Sequence, residues 1–151
     1  MKQAYALSPL EQTVFYWMDK AIKTYRQFAH SNIRQNEIDI TIDQWLVLKT
    51  VVDHPDMKQT EIASMVFKDH ASVTRIIELL VKRGYLTRSF NNSDRRRFKL
   101  ELTQSGKKTY DALVPIVAFN RSTALDGISP SDIEIFRKVL FQITNNCAIK
   151  N

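Results

Sequence analysis

The chain has 151 residues, 44% of them hydrophobic and 25% charged, which is typical of a globular protein and excludes a disordered chain. Its length suffices for one domain, or for one small domain with added dimerisation helices. The 22 Lys and Arg outnumber the 16 Asp and Glu, so the net charge is +6. That excess lies in residues 82–99, which hold seven basic side chains and one acid, Asp94. An anionic partner is therefore expected at this segment.

The residue pattern argues against several other classes of protein. No apolar run approaches the roughly 20 residues that span a bilayer, and no signal peptide follows Met1. The single cysteine, Cys147, cannot form an intrachain disulfide, so we expect a reduced, cytoplasmic protein. We find no metal-ligand spacing, no phosphate-binding glycine loop and no catalytic constellation. We therefore expect no cofactor, no metal, no membrane partner and no enzymatic activity.

The first predicted element is a long amphipathic helix. Ser8 and Glu11 form a capping box with Pro9 at the first helical position, which predicts a helix start at residue 9. Apolar residues then recur every three or four positions, at Leu10, Val14, Met18, Ile22, Tyr25 and Phe28. The helix also carries three further aromatic residues, Phe15, Tyr16 and Trp17. This surplus has two open explanations: a partner subunit, or packing on two sides within one subunit.

Three shorter helices follow along the chain. A Thr41-x-x-Gln44 capping box begins the first of them. The second spans about residues 58–66. Asp69 caps the third, which keeps helical spacing as far as Gly84 and turns four apolar residues inward, namely Val73, Ile76, Ile77 and Leu80.

Beyond Gly84 the pattern alternates with a period of two, which is typical of strands. The alternation covers residues 86–90 and 98–102, and the residues between them, 91–94, are turn-forming. The sequence therefore predicts a small β-hairpin with an arginine-rich tip. Thr103 then caps a fifth helix, and a Ser-Pro-x-Asp motif at residues 129–132 caps a sixth with five inward residues, Ile133, Phe136, Val139, Leu140 and Ile143.

Two helices joined by a turn and followed by a basic hairpin form the outline of a winged helix-turn-helix. The helix after Asp69 has four outward polar residues that could reach base edges or phosphates, His70, Ser72, Thr74 and Arg75. The hairpin tip carries Arg95, Arg96 and Arg97, which could enter a narrow minor groove or neutralise phosphates. Taken singly, a charge run is usually only a solvated surface, and Asp94 could serve only to fix the turn. The order of these features along the chain favours DNA binding.

These residues resemble the MarR-type winged-helix transcription factors. The resemblance covers residues 57–106, including Ser-Val-Thr-Arg at 72–75, Asp-x-Arg at 94–96 and Leu-Thr-x-x-Gly at 102–106. Many members have glycine and an apolar residue in the turn between the two motif helices, where this chain has Phe67-Lys68. This departure predicts a reshaped turn.

The resemblance implies a mainly α fold with a small β-hairpin wing. It implies a DNA-binding winged helix-turn-helix at residues 37–103, flanked by dimerisation helices at residues 1–36 and 104–151. The implied function is that of a homodimeric repressor that binds a pseudo-palindromic operator in double-stranded DNA and is released by a small aromatic or phenolic effector. The implied DNA contacts are His70, Ser72, Thr74, Arg75, Asp94, Arg95, Arg96 and Arg97, and no ligand-binding residue is assigned.

Three alternatives stay open on the sequence. A winged helix can serve protein–protein contact, in which case binding to duplex DNA would be weak and insensitive to salt. Cys147 could act as a redox sensor, although the relatives that sense peroxides do so through a cysteine in the first helix, which favours an inert thiol. An enzyme with a fused sensing helix ranks lowest, because no catalytic constellation is present.

Overall fold

The computed structural model of the protein describes residues 9–90 and 98–149. These residues contain a 3-10 turn, two strands and six α-helices. The turn is Leu10–Gln12, the strands are β1 (Leu86–Phe90) and β2 (Phe98–Leu102), and the helices are α1 (Val14–Gln35), α2 (Ile42–Asp53), α3 (Gln59–Met65), α4 (His70–Lys82), α5 (Gln104–Ala124) and α6 (Pro130–Cys147). The predicted mainly α fold with a hairpin is confirmed. No helix in the described ranges is long and apolar enough to cross a membrane.

Helix α1 begins later than the sequence pattern predicts. Thr13 is its N-cap, and Val14 is its first residue. Ahead of them, the Leu10–Gln12 segment forms only a 3-10 turn, with Pro9 before it. The predicted α-helical start at residue 9 is wrong, because the extended backbone of Thr13 (φ −88°, ψ 140°) interrupts the helix and starts it anew. Ser8 lies outside the described residues.

The apolar surplus of α1 is exposed along its first turns. Of the α1 residues, all of which the structure describes, Ala29 and Ile33 are buried. Of the three surplus aromatic residues, Phe15 and Trp17 are 60% and 54% exposed, and Tyr16 is half-buried. The described residues of one subunit therefore leave Phe15 and Trp17 largely uncovered, which does not support packing on two sides within one subunit.

The helix-turn-helix has the caps that its sequence predicts. The Thr41–Gln44 capping box closes in both directions at the start of α2. Asp69 caps α4, because its carboxylate accepts the backbone N–H of Ser72 at 2.8 Å. Gly84 follows the end of α4 with a φ of +74°, the left-handed conformation that suits glycine after a helix. The three predicted helices of this segment are confirmed.

The turn between α3 and α4 contains a left-handed residue that is not glycine. Phe67 has a φ of +56° and is 96% exposed. An L-residue in this conformation costs about 1 kcal/mol or more. The next residue, Lys68, is held at both ends: its N–H donates to the Ala63 carbonyl at 3.0 Å and its Nζ lies 2.9 Å from the Asp43 carboxylate. The departure noted in the sequence therefore leaves a glycine-like backbone at Phe67 and adds an ion pair at Lys68.

Asp43 connects the first helix to this turn. Its carboxylate lies 2.5 Å from the Arg26 guanidinium of α1 and 2.9 Å from Lys68 Nζ. Partial burial acts to raise the pKa of Asp43, but hydrogen bonds and charges from Lys68 and Arg26 outweigh burial and hold that pKa below its ordinary value. The ion triad therefore stabilises the fold only while Asp43 is ionised.

We expect Asp43→Asn to lower the free energy of unfolding by about 1 kcal/mol at pH 7, since the pairs are partly exposed to solvent. A pKa depressed in the folded state stabilises the fold above the unfolded pKa of about 3.9, and the stabilisation is lost as the pH falls through the folded pKa. The difference between wild type and variant should therefore shrink in acid, as measured by urea unfolding between about pH 7 and pH 3. Asp19→Asn, which removes an exposed pair with Lys23, is the matched control and should change stability little. A difference that is constant with pH would contradict the assignment.

An apolar core joins the helices and the hairpin of the first compact unit, which ends at Asn120. Trp45 of α2 stacks on Tyr110 of α5, with ring centroids 5.1 Å apart. The largest apolar side chains that are completely buried come from α1 to α5, from β1 and from the loop before α2, namely Ile33, Ile40, Leu48, Ile62, Ile77, Leu80, Leu86 and Leu113. Close packing in this core fixes α3, α4 and the hairpin relative to one another.

Strands β1 and β2 form the predicted antiparallel hairpin. Leu86 pairs with Leu102 at its base and Phe90 pairs with Phe98 at the far end of the ladder. Leu86 and Leu100 are buried, so a slip of one residue would turn these side chains out of the core. The turn-forming residues and the arginines between the strands, residues 91–97, lie outside the described residues.

Helix α5 docks closely on the corner between α4 and β1. The Thr103 hydroxyl accepts the Gly106 N–H at 2.9 Å and donates to the Gly84 carbonyl, which confirms the predicted cap. A Cβ on Gly106 would lie 1.9 Å from the carbonyl oxygen of Tyr85. Glycine is therefore required at position 106 for this approach of two backbones.

The second compact unit begins at Arg121 and contains α6. Ser129 caps α6 by accepting the N–H of Asp132 at 3.1 Å, as predicted. The predicted inward face is wrong, since α6 buries no residue and Phe136 and Val139 are 51% and 47% exposed. Apolar spacing predicts which residues share a face, but it does not say that the same chain covers that face.

Candidate nucleic-acid interface

The four residues predicted on the recognition helix all lie in the first two turns of α4. His70 and Arg75 are exposed, Ser72 and Thr74 are half-buried, and Val73 between them is buried in the core. The helical spacing of this sequence thus separates the anchoring side chain from those that face outward. The predicted wing residues of the site, Asp94, Arg95, Arg96 and Arg97, lie outside the described residues.

The Ser72 hydroxyl takes part in the cap of α4. It donates to the Asp69 carboxylate at 2.6 Å, and the backbone N–H of Ser72 donates to the same group. These two hydrogen bonds from Ser72, with the nearby charge of Arg75, lower the pKa of Asp69. Ser72 can still accept a hydrogen bond, but its hydroxyl proton is already used.

Arg75 presents its charge at the exposed side of α4. Its neighbour towards the core, Thr74, is held by two hydrogen bonds within the protein: its hydroxyl accepts from Gln59 Nε2 at 2.6 Å and donates to the His70 carbonyl at 2.9 Å. Of the two residues, Arg75 is therefore the one with donors to offer to a base edge or a phosphate.

The hairpin adds further cations on the same side as α3. The guanidinium of Arg88 lies over the Phe98 ring, 4.1 Å from its centroid, and donates to Gln59 Oε1 at 2.9 Å. Lys99 Nζ lies 3.0 Å from the Glu101 carboxylate, and this hydrogen bond raises the pKa of Lys99. Lys99 therefore stays charged at neutral pH.

A cavity of about 580 Å³ lies between the loop before α3, helices α3 and α4, and the hairpin. Its lining is rich in cationic and polar groups and includes one aromatic face, that of Phe98. The charged and polar residues of the lining are Asp56, Lys58, Gln59, Thr60, His70, Thr74, Arg88 and Lys99. Sequence reasoning assigned no role to Gln59 or Lys58 and counted Arg88 and Lys99 only as charges. The signal available was that Gln59 and Arg88 both lie in the stretch that resembles MarR-type proteins.

Metal binding finds no support among the described residues, where no three His, Cys, Asp or Glu side chains are grouped to hold an ion. Cys147, at the end of α6, is exposed as a free thiol.

Comparison with known proteins agrees with this geometry. Residues 40–98, which include α2, α3, α4 and β1, match the model of the MarR family. Over these residues the chain is similar to the MarR family. The described residues from α3 to the hairpin correspond to the DNA-binding winged helix of MarR-type transcriptional regulators.

Individual relatives support the same assignment. The HTH-type transcriptional regulator YybA of Bacillus subtilis (strain 168) is 27% identical over 116 residues, which cover 77% of each chain. The structure of Staphylococcus aureus MepR in a DNA complex has a TM-score of 0.81 at 22% identity, covering 91% of this chain and 99% of MepR. Bordetella bronchiseptica BpsR, whose DNA binding is regulated by 6-hydroxynicotinic acid, has a TM-score of 0.80 at 20% identity, covering 91% and 96%. At this identity the two structures establish only the fold that this chain shares with them.

Proposed function

We propose that the protein is a homodimeric, sequence-specific repressor that places α4 in the major groove of its operator and its arginine-rich wing on the minor groove or the backbone. One observation carries the proposal: a capped recognition helix exposes Arg75 beside a hairpin whose surrounding segment, residues 82–99, contains the whole net charge of the chain. Phosphate contacts from such a segment supply affinity, and base-edge contacts from the helix supply specificity.

The proposed DNA contacts are those expected from the sequence. On α4 they are His70, Ser72, Thr74 and Arg75, and in the wing they are Asp94, Arg95, Arg96 and Arg97. Support on α4 comes from the exposure of His70 and Arg75 and from the partial exposure of Ser72 and Thr74. Support for the wing comes from the hairpin register, which brings both strands to the two ends of residues 91–97.

Dimerisation is proposed through residues 1–36 and 104–151, with the DNA-binding domain at residues 37–103. The support is the apolar surface that each segment exposes: Trp17 on α1, and Phe136 and Phe141 on α6, are all more than half exposed. Large exposed apolar surfaces are typical of interaction sites. A twofold dimer would present two recognition helices about one helical turn of DNA apart, and so read a pseudo-palindrome.

The proposed effector is a small aromatic acid or phenol. BpsR responds to 6-hydroxynicotinic acid, and the cavity beside α4 offers cations for a carboxylate together with the Phe98 ring. A ligand that prefers the form unable to bind DNA by a few kcal/mol would suffice to release the operator. If no aromatic acid or phenol altered operator affinity, this part of the proposal would be wrong.

The test is selection of bound sequences from random duplex DNA, followed by affinity measurements over a range of salt concentrations. A pseudo-palindromic consensus and a steep loss of affinity with salt are expected. Weak binding that is insensitive to salt would reject DNA binding and favour a protein partner instead.

Two substitutions should separate the roles of wing and helix. Arg96→Ala should weaken binding to all sequences and reduce the salt slope by about two, one for each subunit of the dimer, if Arg96 contacts phosphate. Arg75→Ala should change the base preference at one position of each half-site, at a cost of about 1–3 kcal/mol for the preferred base. Unchanged affinity and preference in both variants would contradict the site.

A further inference from the structure

A chain of polar contacts runs from the hairpin to the recognition helix through one glutamine. The Arg88 guanidinium of β1 donates to Gln59 Oε1 at 2.9 Å. Gln59 Nε2 donates to the Thr74 hydroxyl of α4 at 2.6 Å, and that hydroxyl donates to the His70 carbonyl at 2.9 Å. The contacts join residues 29 and 15 positions apart in the sequence, so they are tertiary contacts between separate elements.

Gln59 is chemically suited to the centre of this chain. Its side-chain amide offers an acceptor to Arg88 and a donor to Thr74 at the same time. A carboxylate has no donor and an ammonium has no acceptor, so neither could join a guanidinium to a hydroxyl that already donates elsewhere. Rotating the amide by 180° would place its NH₂ against the guanidinium, donor against donor. Arg88 therefore fixes the orientation of the amide, and the amide fixes the hydroxyl of Thr74.

Both ends of this series of hydrogen bonds are held by further contacts. Arg88 stacks on Phe98 of β2, and Thr74 follows Val73, which is completely buried. Gln59 is half-buried at the first position of α3. The hydrogen bonds all run in one direction, an arrangement in which each bond polarises and strengthens the next.

We propose that Gln59 is a positioning residue for DNA recognition: it couples the wing to α4 and thereby sets the sequence preference without contacting a base itself. The proposal rests on the DNA-binding function proposed above. It also gives Thr74 a role within the protein, because the single proton of its hydroxyl is used by the His70 carbonyl. The specificity of α4 thus depends on a residue outside the recognition helix.

The test compares binding of each variant to the selected operator and to a random duplex of equal length. The ratio of the two affinities is the readout, because loss of folded protein lowers both affinities equally and cancels. Gln59→Met, which keeps the side-chain length but removes both hydrogen bonds, should reduce the ratio about tenfold. Ser64→Ala is the control, since Ser64 is exposed on the same helix α3 and its hydroxyl donates only within that helix, to the Thr60 carbonyl at 3.3 Å; its ratio should equal that of wild type.

Thr74 provides the second arm. Thr74→Val should reduce the ratio about as much as Gln59→Met, and Thr74→Ser, which keeps the hydroxyl, should reduce it less. The affinity ratio of the double variant Gln59→Met with Thr74→Val should lie no more than about twofold below that of either single variant, because both substitutions remove the same contact.

The outcomes separate the two proposals. An unchanged ratio in Gln59→Met, with or without a lower Tm, would overturn the positioning role while leaving DNA binding intact. Additive losses in the double variant would equally overturn it, since they would show that Gln59 does not act through Thr74. A wild-type ratio of one would mean that the chain has no sequence preference, and then the proposed function itself fails.

Discussion

Replacing Gly106 by alanine should lower the free energy of unfolding by about 3 kcal/mol, near the upper end of what overpacking usually costs. The added Cβ would lie 1.9 Å from the Tyr85 carbonyl oxygen and 2.8 Å from its carbonyl carbon. The atoms to be displaced belong to the backbone between α4 and β1, and not to a flexible side chain. The first turn of α5, including its cap at Thr103, would have to move away. Urea unfolding of the variant, followed by far-ultraviolet circular dichroism, measures the loss.

Gly84→Ala is the matched control for this prediction. Gly84 has a φ of +74°, but no atom lies within 4 Å of the position of its Cβ. Its substitution should therefore cost only the backbone conformation, about 1 kcal/mol. If both variants lost the same stability, the close approach at Gly106 would not be what requires glycine there.

Replacing Phe136 by glutamate should convert the proposed dimer to a monomer. Phe136 is 51% exposed on α6 and lies among the apolar residues of that helix. In an interface, the carboxylate of the introduced glutamate would be desolvated without a partner, and this cost opposes association. A monomer reads one half-site, so operator affinity should fall by about a hundredfold as the effective concentration of the second helix is lost. Analytical ultracentrifugation and operator titration measure the two effects.

Asn145→Glu supplies the control for the added charge. Position 145 lies nine residues beyond position 136, about two and a half turns, and so on the opposite side of α6. This variant should remain dimeric and bind its operator like the wild type. If Phe136→Glu also remained dimeric, the exposed face of α6 would not be part of the interface.

Local signals were sufficient for most of the fold. Capping at Thr41, Asp69, Thr103 and Ser129 depends on side chains within three residues of the backbone groups that they bind, so the sequence order alone predicts those helix starts. The start of α1 was predicted wrongly because its N-cap is Thr13, a residue that received no role from the sequence pattern. Its outcome depends on φ and ψ at one residue, which a sequence pattern does not fix.

Tertiary contacts were the part that sequence could not supply. The bond from Gln59 to Thr74 depends on where α3 packs against α4, and the bond from Arg88 depends on the hairpin register. Arg88 was counted only as one positive charge, and Gln59 received no role. For α6 the sequence predicted too much. The spacing of its apolar residues predicted a buried face, but the described residues bury none of them.

The pairing of β1 with β2 separates the residues between the strands from the residues that form the core. The ladder ends at Phe90 opposite Phe98, while Leu86 and Leu100 hold its inner end in the core. The register therefore fixes the two residues, Phe90 and Phe98, that flank residues 91–97 in the sequence. On the proposed function, mutations at residues 91–97 would change the number and sign of the charges that the wing offers to DNA, while the core residues stay the same. Natural variation in operator affinity would then accumulate in this segment, and an engineered wing could be grafted there in the same way.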